Sequence, residues 1–173
     1  AEALGGVLFV DEAYALVSGD RDSFGKEAMD TLMKEMEDHR DDLVVIAAGY
    51  IVEMKDLLAT NPGMESRFPT TLLFADYTAP ELMDIADRIL EPQRMKMQPE
   101  AHDLVQKHFE AEVAGREPDA KGSNGRGVRN LLEAAKRAQA LRLADMKGPK
   151  SLDDLTTLTT ADCTAACNQN KPR

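Results

Sequence analysis

Apolar positions follow two regimes along the 173 residues. Up to about residue 78, short continuous apolar runs alternate with stretches of helical period. Beyond it only the helical period remains. The run Gly6-Val7-Leu8-Phe9-Val10 and the run Leu43-Val44-Val45-Ile46-Ala47-Ala48-Gly49 read as strands buried on both faces, as in a parallel sheet. Residues 5–11 therefore form the first strand. Between the two runs, Phe24, Ala28, Leu32 and Met36 recur every four residues, and Met29 and Met33 widen that stripe into a helical face. The polar run 37–42 ends the helix. Met54, Leu57 and Leu58 predict a further short helix, stopped at Asn61-Pro62-Gly63. Thr71-Leu72-Leu73-Phe74 reads as a third strand. Strand, helix and strand in this order imply a parallel α/β sheet.

After Tyr77, residues 79–96, 99–115 and 126–147 carry helical periodicity with no strand-like run between them. Pro80 and Pro99 suit the first turns of two of these helices. Residues 116–125 are a loop by composition. A boundary near residue 78 thus separates an α/β part, 1–78, from a helical part, 79–147. Residues 148–173 are Thr-rich, lack a clear apolar face and read as a partly ordered tail.

Composition narrows the function. Aromatics are scarce at 5%, with no Trp, while Met, Leu and Ala are plentiful, which favours helices. Lys and Arg number 21 against 31 Asp and Glu, a net charge of −10. So acidic a chain is a poor nucleic-acid binder, because phosphate contacts need clustered cations. No apolar run approaches the ~18 residues of a membrane span and no signal peptide is visible; a cytoplasmic location, or an organelle stroma, is expected, consistent with reduced cysteines. The two cysteines, Cys163 and Cys167, have no His or further Cys near them in sequence, so they read as an accessible, reduced pair rather than zinc ligands. The chain opens on Ala directly before a core strand and is expected to be part of a longer protein.

Four places carry chemistry. Asp11-Glu12 closes the first strand, where ligands of open α/β sheets gather. Gly49-Tyr50 closes the second. Arg67 follows a helix and a turn, in Ser66-Arg67-Phe68. Arg126 opens the last helix, in Asn124-Gly125-Arg126-Gly127-Val128-Arg129-Asn130. In this order, GGVLFVDEAYAL, DDLVVIAAGY, NPGMESRF and NGRGVRNLLE resemble the C-terminal portion of an AAA+ ATPase module. The wording, over residues 4–147, looks most like the branch containing the red-type Rubisco activase CbbX and stage V sporulation protein K. The resemblance implies part of a P-loop NTPase three-layer α/β sandwich with a parallel sheet, followed by a small all-α lid domain.

It also implies roles. Asp11 matches the Walker B acid that holds Mg²⁺, and Glu12 the acid that polarises the attacking water. Arg67 matches the arginine finger that reaches a neighbouring subunit's site. Arg126 matches the sensor 2 arginine of the lid, with Arg129 the alternative if the register differs. Tyr50 stands where many relatives carry a polar sensor 1, often Asn. Its hydroxyl can hydrogen-bond water or phosphate, and its ring can equally pack. Residues 18–25 are a second pore loop or a plain solvent loop. No Gly-x-x-x-x-Gly-Lys-[Ser/Thr] occurs, and the aromatic pore loop expected before Walker B is missing too. The phosphate cradle is therefore expected outside these residues, and the isolated chain is expected to hydrolyse ATP poorly. Two functions stand. One is an Mg²⁺-ATP-driven machine that self-associates into a ring, hexameric by resemblance, and remodels a protein partner. The other is a degenerate, non-hydrolysing segment that serves as an assembly or regulatory module.

Overall fold

A computed structural model describes residues 3–17, 23–60, 62–116 and 122–170. The chain divides into two compact units, Ala1–Leu73 and Phe74–Arg173. The first begins with β1 (Gly6–Val10), a 3₁₀ turn (Ala13–Val17), α1 (Ser23–Asp38) and β2 (Leu43–Ala47). Two short helices come next, α2 (Ile51–Thr60) and α3 (Pro62–Arg67). α2 stops at Thr60 as expected, and Pro62 then opens a further short helix, since proline's fixed φ and missing N–H suit a first helical position. Asn61 and residues 18–22 lie outside the described residues, as does most of the expected pore or solvent loop.

β1 and β2 pair in parallel, from Gly6 opposite Leu43 to Val10 opposite Ala47. Side chains alternate across a strand. Burial on both faces is corrected: Leu8, Val10, Val45 and Ala47 lie half-buried on one face, whereas Val7, Phe9, Val44 and Ile46 lie exposed on the other, where no described residue covers them. The buried face packs with Ala13, Met29, Met33, Leu57 and Met64. This corrects the helical stripe read from sequence. Met29 and Met33 face inward with Leu32 beside them, whereas Phe24 is 79% exposed and Ala28 points out. The four-residue spacing was right for a helix and assigned its inner edge one residue early.

The third strand is also corrected. Residues 71–74 form no strand and have no ladder, and Leu72, Leu73 and Phe74 are all exposed. A strand exists only through hydrogen bonds to a neighbour, and among the described residues these have none.

The second unit holds α4 (Ala79–Leu90), a 3₁₀ turn (Glu91–Gln93), β3 (Lys96–Met97), α5 (Pro99–Ala114), α6 (Asn124–Asp145), α7 (Leu152–Thr156), β4 (Thr157–Leu158) and α8 (Thr160–Gln169). The Glu81 carboxylate accepts both the N–H and the hydroxyl of Thr78, each at 2.8 Å, which fixes the start of α4. Leu82, Ala86, Leu90, Val105, Phe109, Val128, Leu132 and Ala135 form the core.

Leu158, Cys163 and Ala166 belong to that same core, so residues 148–170 are not a loose tail. A period-based reading missed them because α8 offers only small apolar residues, and β3 and β4 are two residues each. The cysteines are corrected with it. Cys163 is fully buried, Cys167 is half-buried, and burial pushes the Cys163 thiol up to about 12.

Polar side chains bind α8 and the preceding segment to α6. Arg142 donates from Nε to both oxygens of Asp162 at 3.1 and 3.2 Å, and from Nη2 to one of them at 2.9 Å. Thr159 adds its N–H and hydroxyl at 2.9 and 2.8 Å. The buried Gln139 amide donates to the carbonyls of Asp154, Leu155 and Thr157. Asp162 is 2% exposed. Burial raises its pKa, but the hydrogen bonds from Arg142 and Thr159 outweigh this and hold it below the ordinary 3.8. A depressed carboxylate contributes stability that is fully present above its unfolded pKa and lost as pH falls through the folded one. Asp162→Ala should therefore destabilise the helical unit by about 1–3 kcal/mol at neutral pH, because it removes the carboxylate that accepts from Thr159 and from the partly exposed Arg142. That deficit against the parent should shrink below pH 3.8. Urea denaturation at pH 7 and at pH 3 checks both; an unchanged midpoint at pH 7 would show that Asp162 contributes nothing net.

Candidate functional site

The ladder of β1 ends at Val10, and two hydrogen bonds fix the residues just beyond it. Ala48 N–H donates to Val10 C=O at 2.9 Å, and Ala13 N–H donates to Ala48 C=O at 3.0 Å. Asp11 and Glu12 are thereby looped out between anchored points, at the carboxyl edge of the sheet. Glu12 has φ +47°, a left-handed conformation that costs a residue with a Cβ about 1–2 kcal/mol. Its N–H donates to Asp11 Oδ1 at 3.0 Å, and its C=O accepts Ala15 N–H at 2.8 Å, opening the 3₁₀ turn. Both acids are exposed.

Gly49 and Tyr50 leave β2 at the same edge. A Cβ on Gly49 would stand 2.8 Å from Met54 Sδ and 2.9 Å from Tyr14 Cδ1. A side chain there would force Met54 and Tyr14 to shift. The Tyr14 and Tyr50 rings lie 6.3 Å apart, tilted by 37°. Asp11, Glu12 and Tyr50 are thus gathered at one sheet edge, with Tyr14 as the packing piece between the 3₁₀ turn and Tyr50. Gly49→Ala should destabilise the first unit by about 1–2 kcal/mol through overpacking. Chemical denaturation reads this, and a parental midpoint would mean that Met54 and Tyr14 yield at no cost.

Arg67 ends α3. Its Nη1 donates to Gly63 C=O at 3.1 Å and its Nη2 pairs with Glu37 on the last turn of α1 at 3.2 Å. Nε is buried without a hydrogen-bond partner among the described residues. The side chain as a whole is 31% exposed. Glu37 carried no sequence signal, because a charged residue in an acidic helix end reads as solvated.

Arg126 lies in the second unit, in the first turn of α6. It and Arg129 are both exposed. The start of α6 is held by Asn124 together with partners that carry no sequence signal, Asp76 and Arg116. Asn124 Oδ1 accepts Tyr77 N–H at 3.1 Å, and Asn124 Nδ2 donates to Asp76 Oδ1 at 2.6 Å. Asp76 Oδ2 pairs with Arg116 Nη1 at 3.2 Å, and Arg116 pairs in turn with Glu112 at 3.2 Å.

The donor set at the sheet edge fits Mg²⁺. That ion keeps several waters, takes one or two protein carboxylates and fills its octahedron with phosphate oxygens. Two adjacent exposed acids match this habit; among the described residues no group of three or more His, Cys, Asp or Glu is placed to hold a metal ion by itself. Among those residues, also, no helix is long and apolar enough to cross a membrane.

Comparison with known proteins extends over the whole chain. Residues 78–173 match the family model of the AAA lid domain. Residues 1–75 match that of the ATPase family associated with various cellular activities (AAA). Stage V sporulation protein K of Bacillus subtilis is 43% identical over 162 residues, covering 93% of this chain and 49% of that protein. Protein CbbX of Cereibacter sphaeroides is 39% identical over 166 residues, 95% of this chain and 52% of that protein. The ESX-3 secretion system protein EccA3 of Mycolicibacterium smegmatis is 42% identical over 171 residues, 92% of this chain and 28% of that protein. The chain thus spans about half the length of the first two and less of the third. Among solved structures, the crystal structure of the FIGL-1 AAA domain matches with a TM-score of 0.65 at 19% identity, covering 98% of this chain and 52% of that one. At that identity the likeness is one of fold.

Proposed function

The chain belongs to the AAA family of ATPases, and from that premise we propose that the intact protein hydrolyses Mg²⁺-ATP to remodel a protein partner. The observation that carries this reading is the looped-out pair Asp11-Glu12, anchored on both sides and facing outward from the carboxyl edge of a parallel sheet. Phosphoryl transfer asks mainly for positioning and charge neutralisation. Mg²⁺, when bound with ATP, supplies neutralisation of phosphate charge.

The chain's own residues divide the rest. Asp11 has one oxygen engaged by the Glu12 N–H, and its other oxygen would hold the ion. Glu12 orients a water and accepts its proton. Arg67 reaches the neighbouring subunit's site, where its fixed, always-charged fork suits phosphate oxygens. Such reach requires self-association, and a ring, hexameric by family resemblance, is the closed arrangement in which every site receives one Arg67. Arg126 reports the phosphates to the lid, and Tyr50 offers a hydroxyl beside the water. The workplace is the cytoplasm or an organelle stroma.

These 173 residues hold no Gly-x-x-x-x-Gly-Lys-[Ser/Thr] loop, so the reading concerns the intact protein. Its test is ATP hydrolysis by that protein, as a function of Mg²⁺ and of protein concentration. Turnover that survives loss of both the Glu12 carboxylate and the Arg67 guanidinium would overturn it. Nucleotide-independent assembly without any hydrolysis would leave the non-hydrolysing module in its place.

A further inference from the structure

We propose that Asp76 and Asn124 are positioning residues for Arg126, a clamp that fixes the first turn of α6; the inference rests on the nucleotide-sensing reading of Arg126. The first turn of a helix frays, because its leading N–H groups have no intrahelical acceptor. A side-chain cap normally compensates. Here Ser123, at the capping position, is in helical conformation and makes no cap hydrogen bond. Its hydroxyl turns instead to Glu112 at 2.5 Å.

The turn is held from elsewhere in the chain. Asn124 sits at φ +44°, which Asn tolerates better than most residues. In that pose its amide bridges two groups 47 and 48 residues earlier, accepting from Tyr77 N–H and donating to Asp76. Asp76 uses both oxygens, one on Asn124 and one on Arg116. Arg116 is itself braced by Glu112, and its side chain is 14% exposed. The assembly is close-packed at the backbone. A Cβ on Gly122 would lie 2.8 Å from Asp76 Oδ2 and 2.9 Å from Arg116 Nη1.

The segment 76–78 leading into α4 is therefore bolted to the start of α6, and Arg126 comes two residues after the bolt. The clamp side chains are committed to one another, whereas Arg126 is exposed. The two roles are thereby separated: the clamp fixes the origin of the side chain, and Arg126 makes the contact.

Asn124→Gly separates the two roles of that residue, because glycine keeps the positive φ accessible and deletes the amide. Hydrogen exchange on the present chain gives the first arm. The Tyr77 amide should exchange about 10-fold faster or more in Asn124→Gly and in Asp76→Ala, as expected for a lost local hydrogen bond without global unfolding. An unchanged rate would overturn the clamp. The second arm is a double-mutant cycle on ATP affinity in the intact protein. Arg126→Ala and Asn124→Gly should each weaken binding about 5–10-fold, and the double variant should be no weaker than Arg126→Ala alone. A parental affinity for Asn124→Gly, or losses that simply multiply, would overturn the positioning role. A neutral Arg126→Ala would instead remove the nucleotide-sensing reading, with the exchange arm still deciding whether the clamp exists.

Discussion

Arg67→Ala is expected to lower ATP turnover by the intact protein about 10³-fold or more, while ATP affinity stays near the parental value. The size reflects when the interaction is made. A guanidinium that meets the phosphates only as charge develops in the transition state contributes to the rate and little to ground-state binding. Folding cannot account for such a loss. The Arg67–Glu37 pair is partly exposed at Arg67 and open to solvent at Glu37, 31% and 56%, and such a solvent-screened pair contributes about 1 kcal/mol. The same weakness lets Nη2 exchange Glu37 for a phosphate at low cost. Arg67→Lys keeps the charge and loses the planar fork, so it should recover little of the rate. Mixing decides where the residue acts. Arg67→Ala subunits retain Glu12, and Glu12→Gln subunits retain Arg67. If Arg67 acts on a neighbour, co-assembly of the two inactive variants places a complete set of groups at some interfaces and returns part of the activity. A mixture as inactive as its parts would confine Arg67 to its own subunit, and parental turnover in Arg67→Ala alone would remove it from the chemistry.

Much of the first unit was legible because its signals are local. Gly6–Val10 and Leu43–Ala47 form strands where continuous apolar runs placed them, and Asp11-Glu12 and Gly49-Tyr50 emerge together because parallel strands share a carboxyl edge. The hidden features depended on partners. Residues 71–74 have a strand's composition, but composition supplies no ladder, and they remain exposed. Phe24 fits the helical period as well as Met29 does; which stripe faces inward is decided by the sheet and the 3₁₀ turn, not by α1 itself. In the second unit, Asp162, Arg142 and Gln139 look like surface residues one by one and become interior only as a network. Asn124 and Asp76 are nearly fifty positions apart, and no periodicity connects them. The residues proposed to carry chemistry stand in local motifs, whereas those that hold them in place, such as Tyr14 at the sheet edge, Glu37 at Arg67 and Asp76 before α4, have no such local signal.

Glu12→Gln should lower turnover about 10²–10⁴-fold, the usual contribution of a positioned general base. Gln matches Glu in shape and keeps hydrogen-bonding capacity at the tip, so a water can still be held there. It loses the charge that accepts the proton. The backbone argues that this loss will be clean. Glu12 owes its pose to Ala13 N–H on Ala48 C=O and to its own N–H on Asp11, neither of which involves the Glu12 carboxylate. The left-handed φ is therefore retained by Gln, and the exposed side chain leaves the fold unaffected. ATP affinity should persist, since Asp11, the acid proposed to hold the ion, is unchanged, and nucleotide should accumulate unhydrolysed on the variant. Single-turnover measurement separates this from slow product release: bound ATP should remain ATP over many parental turnover times. Rapid conversion to ADP in Glu12→Gln, with parental steady-state turnover, would move the base to another residue. Tyr50, at the same sheet edge, is the next group there with a hydroxyl to offer.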